Sequence, residues 1–123
     1  MIKILYCIVR APHLTRAEFH EYWLNQHGKT VWERAKSIGM KKYAQSHTID
    51  SELGAACIAA RGCGEPYDGV MEGWWESDEA AMAAFGSDEG RATMEILLAD
   101  EATFMDFARC RIFTANELVW SAE

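Results

Sequence analysis

A chain of 123 residues, half of them hydrophobic, fits one compact domain over residues 1–123 and leaves little room for a second. A formal charge of −7 argues against nucleic acid and anionic membranes as partners, and no stretch is long and apolar enough to span a bilayer. The four cysteines lack CxxC spacing, so neither a disulfide framework nor a zinc site is expected, and a reducing cytoplasm fits best.

The opening MIKILYCIVR is too short an apolar run for a signal peptide. Residues 2–10 are apolar on both alternations and read as a central strand. Pro12 breaks the run. Thr15 then offers an N-cap, Glu18 completes a capping box, and Leu14 with Phe19 can form a hydrophobic staple. Phe19, Trp23, His27 and Val31 recur every four residues and share one helical stripe. Gly39 is a natural stop for that helix.

Residues 40–49 alternate, with Tyr43, Gln45, His47 and Ile49 on one face of a second strand. Residues 51–66 are rich in Gly and Ala and read as a long loop. Residues 67–76 form a third strand, with Gly69, Met71, Gly73 and Trp75 on one face and Val70, Glu72 and Trp74 on the other. Helices are expected from Ser77 and again from Ser87 as far as Ala99, each with acid in its first turn. A last strand covers about 109–120. The order β-α-β-β-α-β predicts an α+β, ferredoxin-like fold with an antiparallel four-stranded sheet. Both helices then cover one face. Val70 and Trp74 on the other face call for a second copy, so a homodimer is expected in which two sheets close into a dimeric α+β barrel. Glu72, on that face, calls for an Arg or Lys from the second subunit.

If the helix stripe meets the sheet, His27 approaches Tyr43 and His47 in an apolar, Trp-lined space. Few convergent polar groups among aromatics are the usual makeup of a small-molecule site. Trp23, Gln45, Met71, Gly73 and Trp75 are the candidate substrate contacts. A neutral imidazole there can abstract a proton from a carbon acid while a tyrosine hydroxyl or the second imidazole holds the developing enolate oxygen. A core histidine bonded to backbone would give the same pattern, and glycines four apart on a strand also suit close helix packing. His13, His20 and His27 are seven apart, which does not suit a helical metal pair, and His20 should be solvated. No Gly-rich phosphate loop or nucleotide fingerprint occurs, so no metal, nucleotide, flavin or other cofactor is expected.

The blocks EFHEYWLNQHGKTV, GMKKYAQSH, YDGVMEGWWES and DEATFMDFARCRIF resemble the EthD-type family, and the resemblance runs over nearly the whole chain. It implies a dimeric α+β barrel and carries over best to His27 and His47. A weaker resemblance to methylmuconolactone isomerases rests on the opening strand, His27 and Tyr43; that branch carries a cysteine where this chain has Gly73. These likenesses imply a cofactor-independent enzyme acting by His/Tyr acid–base chemistry on an aromatic-catabolism or polyketide-like carbonyl compound, as isomerase, dehydratase or cyclase. The wider superfamily also implies two alternatives: a cofactor-free or haem-dependent monooxygenase, and a non-catalytic ligand-binding accessory of a degradative oxygenase.

Overall fold

The computed structural model describes residues 1–122. Four strands, β1 (Ile2–Ile8), β2 (Lys42–His47), β3 (Gly69–Trp75) and β4 (Arg111–Asn116), form one antiparallel sheet in the order β2-β3-β1-β4. Ile4 pairs with Gly73 on one side and Thr114 on the other, so Ile4, Tyr6 and Ile8 share a face with Gly69, Met71, Gly73 and Trp75. With helices packed on that face, the chain has the ferredoxin-like α+β fold read from its pattern.

The first helical segment begins as expected. Thr15 accepts from the Glu18 amide at 3.1 Å, and the Glu18 carboxylate accepts from the Thr15 amide at 2.9 Å. Leu14 packs on the cluster that contains Phe19. The segment is not one helix, however. It runs as α1 (Arg16–Tyr22), a π turn (Trp23–His27), α2 (Gly28–Glu33) and a 3₁₀ turn (Ala35–Ile38). Gly39 then closes it at φ +72°, a left-handed conformation in which a side chain would be strained.

Residues 51–66 are not a loop throughout. Glu52–Arg61 form a helix, α3. Its alanines favour helix, the Ser51 hydroxyl caps it by accepting from the Gly54 amide at 3.0 Å, and Gly62 ends it at φ +65°. None of its residues is buried, which is why no apolar periodicity announced it. Ser77 and Ser87 cap α4 (Asp78–Gly86) and α5 (Asp88–Phe104) by accepting from the Ala80 and Gly90 amides. The second of these helices runs past Ala99 to Phe104, and β4 is shorter than the expected 109–120. Leu118, Val119 and Trp120 lie beyond that strand and are exposed.

Between sheet and helices the core falls into two clusters. Tyr6, Ile8, Phe19, Trp23, Phe104, Met105 and Cys110 form one; Val31, Ala35, Ile38, Met40, Trp75, Ala81 and Leu97 form the other. On the sheet's opposite face Glu72 finds its cation within the same chain, as Lys3 Nζ lies 3.1 Å from its carboxylate. The partner expected from a second subunit is therefore supplied by the neighbouring strand, where Leu5 pairs with Glu72 and Lys3 with Trp74. The Lys3 and Lys42 ammonium groups stand over the Trp74 ring at 5.4 and 4.6 Å.

Candidate active site

A cavity of about 280 Å³ lies between the two core clusters and draws its walls from both. Protein interiors are otherwise close-packed. Its polar wall groups are Tyr6, His27, Tyr43 and Glu101. Trp23 and Trp75 supply flat apolar walls.

His27 is buried, yet its nitrogens are not spent on backbone. Nδ1 lies 2.7 Å from a carboxylate oxygen of Asp100. That oxygen only accepts, so the proton sits on Nδ1, and in the neutral ring Nε2 keeps a free lone pair. The other Asp100 oxygen accepts from the Tyr22 hydroxyl, which fixes the carboxylate in turn. Burial pushes the His27 pKa below that of a free imidazole, and the Asp100 hydrogen bond works against that shift. The ring is thus held neutral near pH 7, with a carboxylate ready to stabilise the imidazolium once it forms.

Glu101 stands beside the free nitrogen, its carboxyl 3.8 Å from Nε2. Burial pushes its pKa up to about 7, against the opposing effect of the Tyr6 hydroxyl, which donates to it at 3.1 Å. Burial likewise raises Tyr6, and it raises Tyr43 to about 12. Both phenols therefore keep their protons.

The Tyr43 hydroxyl is oriented by a chain of donors. Gln45 Nε2 lies 3.0 Å from the Trp23 carbonyl and 2.8 Å from the Tyr43 oxygen. A carbonyl only accepts, so this atom is the amide nitrogen, and Tyr43 receives a hydrogen bond from it. The Tyr43 proton is left free to be donated elsewhere. The Gln45 carbonyl in turn accepts from His47 Nε2 at 2.8 Å.

Gly28 makes this approach possible. A Cβ there would fall 2.6 Å from Gln45 Nε2 and 2.8 Å from the Trp23 carbonyl oxygen. The same carbonyl accepts from the Gly28 amide, closing the π turn. On an ideal α-helix a four-residue spacing drifts about 40° per step; the wider π turn offsets that drift, which keeps Phe19, Trp23, His27 and Val31 aimed at the sheet.

Of the residues singled out in the sequence, His27, Tyr43, Trp23, Met71 and Trp75 line the cavity. His47, Gln45 and Gly73 do not. His47 stacks on Trp23 with ring centroids 4.8 Å apart and lies behind it. The space above Gly73 is filled by the Trp75 ring and the Met40 methyl, and that above Gly69 by Trp23, so both glycines serve close packing. His20 is half-buried and not freely solvated: it donates to the Asp68 carbonyl at 2.7 Å and packs at a tilt against His47, ring centroids 4.5 Å apart. Sequence reasoning missed Asp100, Glu101, Tyr22 and Tyr6 as site residues. Stopping the last helix at Ala99 removed the two acids from consideration. Their signal was Glu101 itself, an acid in the stripe Thr93, Leu97, Glu101, Phe104 that α5 buries. Among the described residues no three His, Cys, Asp or Glu are grouped to hold a metal ion.

The EthD domain family matches residues 11–108. An EthD family protein from Bacillus halodurans is similar over 96% of this chain and 99% of its own, at 18% identity and TM-score 0.63. A dimeric ferredoxin-like protein of unknown function from Thermobifida fusca is 16% identical over 93% and 88%, with TM-score 0.56. SnoaB of Streptomyces nogalater, a cofactor-independent oxygenase, is 12% identical over 99% and 97%, with TM-score 0.57. At such identities these likenesses establish the fold alone. No curated protein matches the chain.

Proposed function

The chain belongs to the EthD domain family, and from that premise we propose that all of residues 1–123 form one domain of a cofactor-independent enzyme. It moves a proton on an aromatic-catabolism or polyketide-like carbonyl compound, in an isomerisation, dehydration or cyclisation. One observation carries the reading: His27 has its Nδ1 tied to Asp100 and its free Nε2 in an apolar cavity that Tyr43 also lines.

In this mechanism His27 Nε2 takes the proton from the carbon next to the carbonyl, and Asp100 stabilises the imidazolium that forms. Tyr43 donates to the carbonyl oxygen as negative charge collects there. Glu101, in its protonated form, is a second acid within reach of that end of the cavity. The enolate then has three exits. Return of the proton to another carbon gives an isomer, loss of a neighbouring hydroxide as water gives an alkene, and attack on a second carbonyl carbon closes a ring. His47 acts through Gln45 on Tyr43 and is a positioning residue. The same base acting on a phenol would yield a phenolate, the electron-rich form a cofactor-free monooxygenase presents to oxygen, and the fold shared with SnoaB favours this as the second reading. The third is ligand carriage without turnover.

Exchange of the α-hydrogens of 1-tetralone in D₂O, followed by NMR, tests the proposal. Exchange above the buffer rate is the expected result. Oxygen uptake with phenols in place of exchange would transfer the assignment to the monooxygenase, and binding with neither would leave a carrier.

The working form in this proposal is a cytoplasmic homodimer, its thiols free, with the sheet face of Leu5, Val70 and Trp74 closed against a second copy. Light scattering during gel filtration should return twice the 13.9 kDa chain mass; a single chain mass at micromolar concentration would remove the dimer. Among the described residues no helix is long and apolar enough to cross a membrane.

A further inference from the structure

We infer that the cavity selects by charge: its ligand class is the uncharged, flat carbonyl or hydroxy compound of about two fused rings, and carboxylate-bearing compounds are turned away. The inference rests on the proposed His27 chemistry for the placement of the reacting carbonyl, and on the cavity walls for the rest.

Among the described residues, no Lys or Arg lines the cavity. Several cations of the sheet and its flanks are engaged elsewhere. Lys3 pairs with Glu72 and Glu117 on the opposite face of the sheet, and Arg10 and Arg16 both pair with Asp68. Arg111, beside the wall residue Ile112 in sequence, donates to the Ala108 and Cys110 carbonyls. An entering carboxylate would shed its water and find no counter-ion, which is strongly unfavourable. It would also approach the Asp100 and Glu101 carboxyls gathered around His27. A neutral carbonyl meets no such penalty, since it needs one donor and the Tyr43 hydroxyl is turned free to be that donor.

Size and entrance agree. A cavity of about 150 Å³ is enough for one benzene ring, and this one measures about 280 Å³. Leu98, Phe107 and Ile112 line it while remaining 50%, 45% and 60% exposed, so the way in is apolar too. A charged compound passing Leu98, Phe107 and Ile112 would find in those side chains no polar group to exchange for its water.

Equilibrium dialysis at pH 7 tests this, with 1-tetralone as the neutral probe and 2-naphthoate as the charged probe of similar size. Wild type is expected to bind 1-tetralone at least about tenfold more tightly than 2-naphthoate. Leu98→Arg adds a cation at a half-exposed wall position outside the acid–base set, and is expected to bring 2-naphthoate to within about threefold of 1-tetralone. Equal binding of the two probes by wild type, binding of neither, or a Leu98→Arg protein that still rejects 2-naphthoate overturns the inference. Failure of the proton-transfer reading is separate: 1-tetralone that binds without α-hydrogen exchange removes that reading and leaves the charge selection standing.

Discussion

Replacing His27 with alanine should lower α-hydrogen exchange by about 10²–10⁴-fold, the usual range for loss of a positioned general base. Binding of 1-tetralone should change far less, because the apolar walls remain, so the loss falls on kcat and not on KM. The pH profile supplies a second signature. The base must be neutral, and burial holds its pKa below that of a free imidazole, so the acid limb should lie below pH 6.5. Glu101 acts as an acid only while protonated, which places the falling limb near pH 7. Activity should therefore trace a narrow bell between these limbs, and His27→Ala should erase the acid limb. Asp100→Asn keeps the shape of the site but removes the charge that favours the imidazolium; it should lower kcat in the same direction. If exchange by His27→Ala matched wild type across the pH range, the base would be another group.

The second large effect is on stability, at Glu101. In the unfolded chain this carboxyl ionises near its ordinary value of 4.5, and in the fold it keeps its proton up to about 7. Between those values the folded state binds more protons, so stability falls as the pH rises through that window and the full loss is in place above pH 7. The difference corresponds to about 3 kcal/mol. Glu101→Gln removes the ionisation and keeps an oxygen for the Tyr6 hydroxyl. In urea titrations the variant should match wild type near pH 4.5 and exceed it by up to about 3 kcal/mol at pH 8.5. A gap of the same size at both pH values would show that Glu101 does not titrate in this way. Such a gain in stability on losing an ionisable group is the usual mark of a group kept for its chemistry.

The features of the fold that can be read in the sequence are those set by local chemistry. The Thr15–Glu18 capping box, the Gly39 stop, the acidic helix starts at Ser77 and Ser87 and the period-2 strands each depend on a few adjacent residues, and each occurs as read. What escapes is set by burial at a distance. Glu101 differs from the exposed Glu95 on the same helix only by its place in the stripe that α5 buries, and packing against Tyr6 makes it a buried acid. For α3 the difficulty is the reverse, since a helix that buries nothing has no stripe to detect. Alternation places Glu72 on the correct face but cannot name its partner, because the diagonal from β1 to β3 brings Lys3 to it before any second chain is needed. In the site, His27 and Tyr43 were legible from spacing. That Gln45 and His47 stand behind the cavity wall follows from the indole of Trp23 lying flat over the sheet, a rotamer that no pattern of residue types specifies.

The π turn at Trp23–His27 carries a consequence for how this lineage can change. Relative to an α-helical path it holds one surplus residue. On its N-terminal side Phe19 is locked against Phe104 in one core cluster; on its C-terminal side Val31 and Ala35 are locked in the other. Loss of a single codon between Leu24 and Gln26 would take out that surplus residue and restore regular winding, with the two flanking halves keeping their orientation. Both halves of the core would then stay packed. The helix thus holds a point of slack in evolutionary time, where one insertion or deletion is absorbed without redesigning the walls of the site.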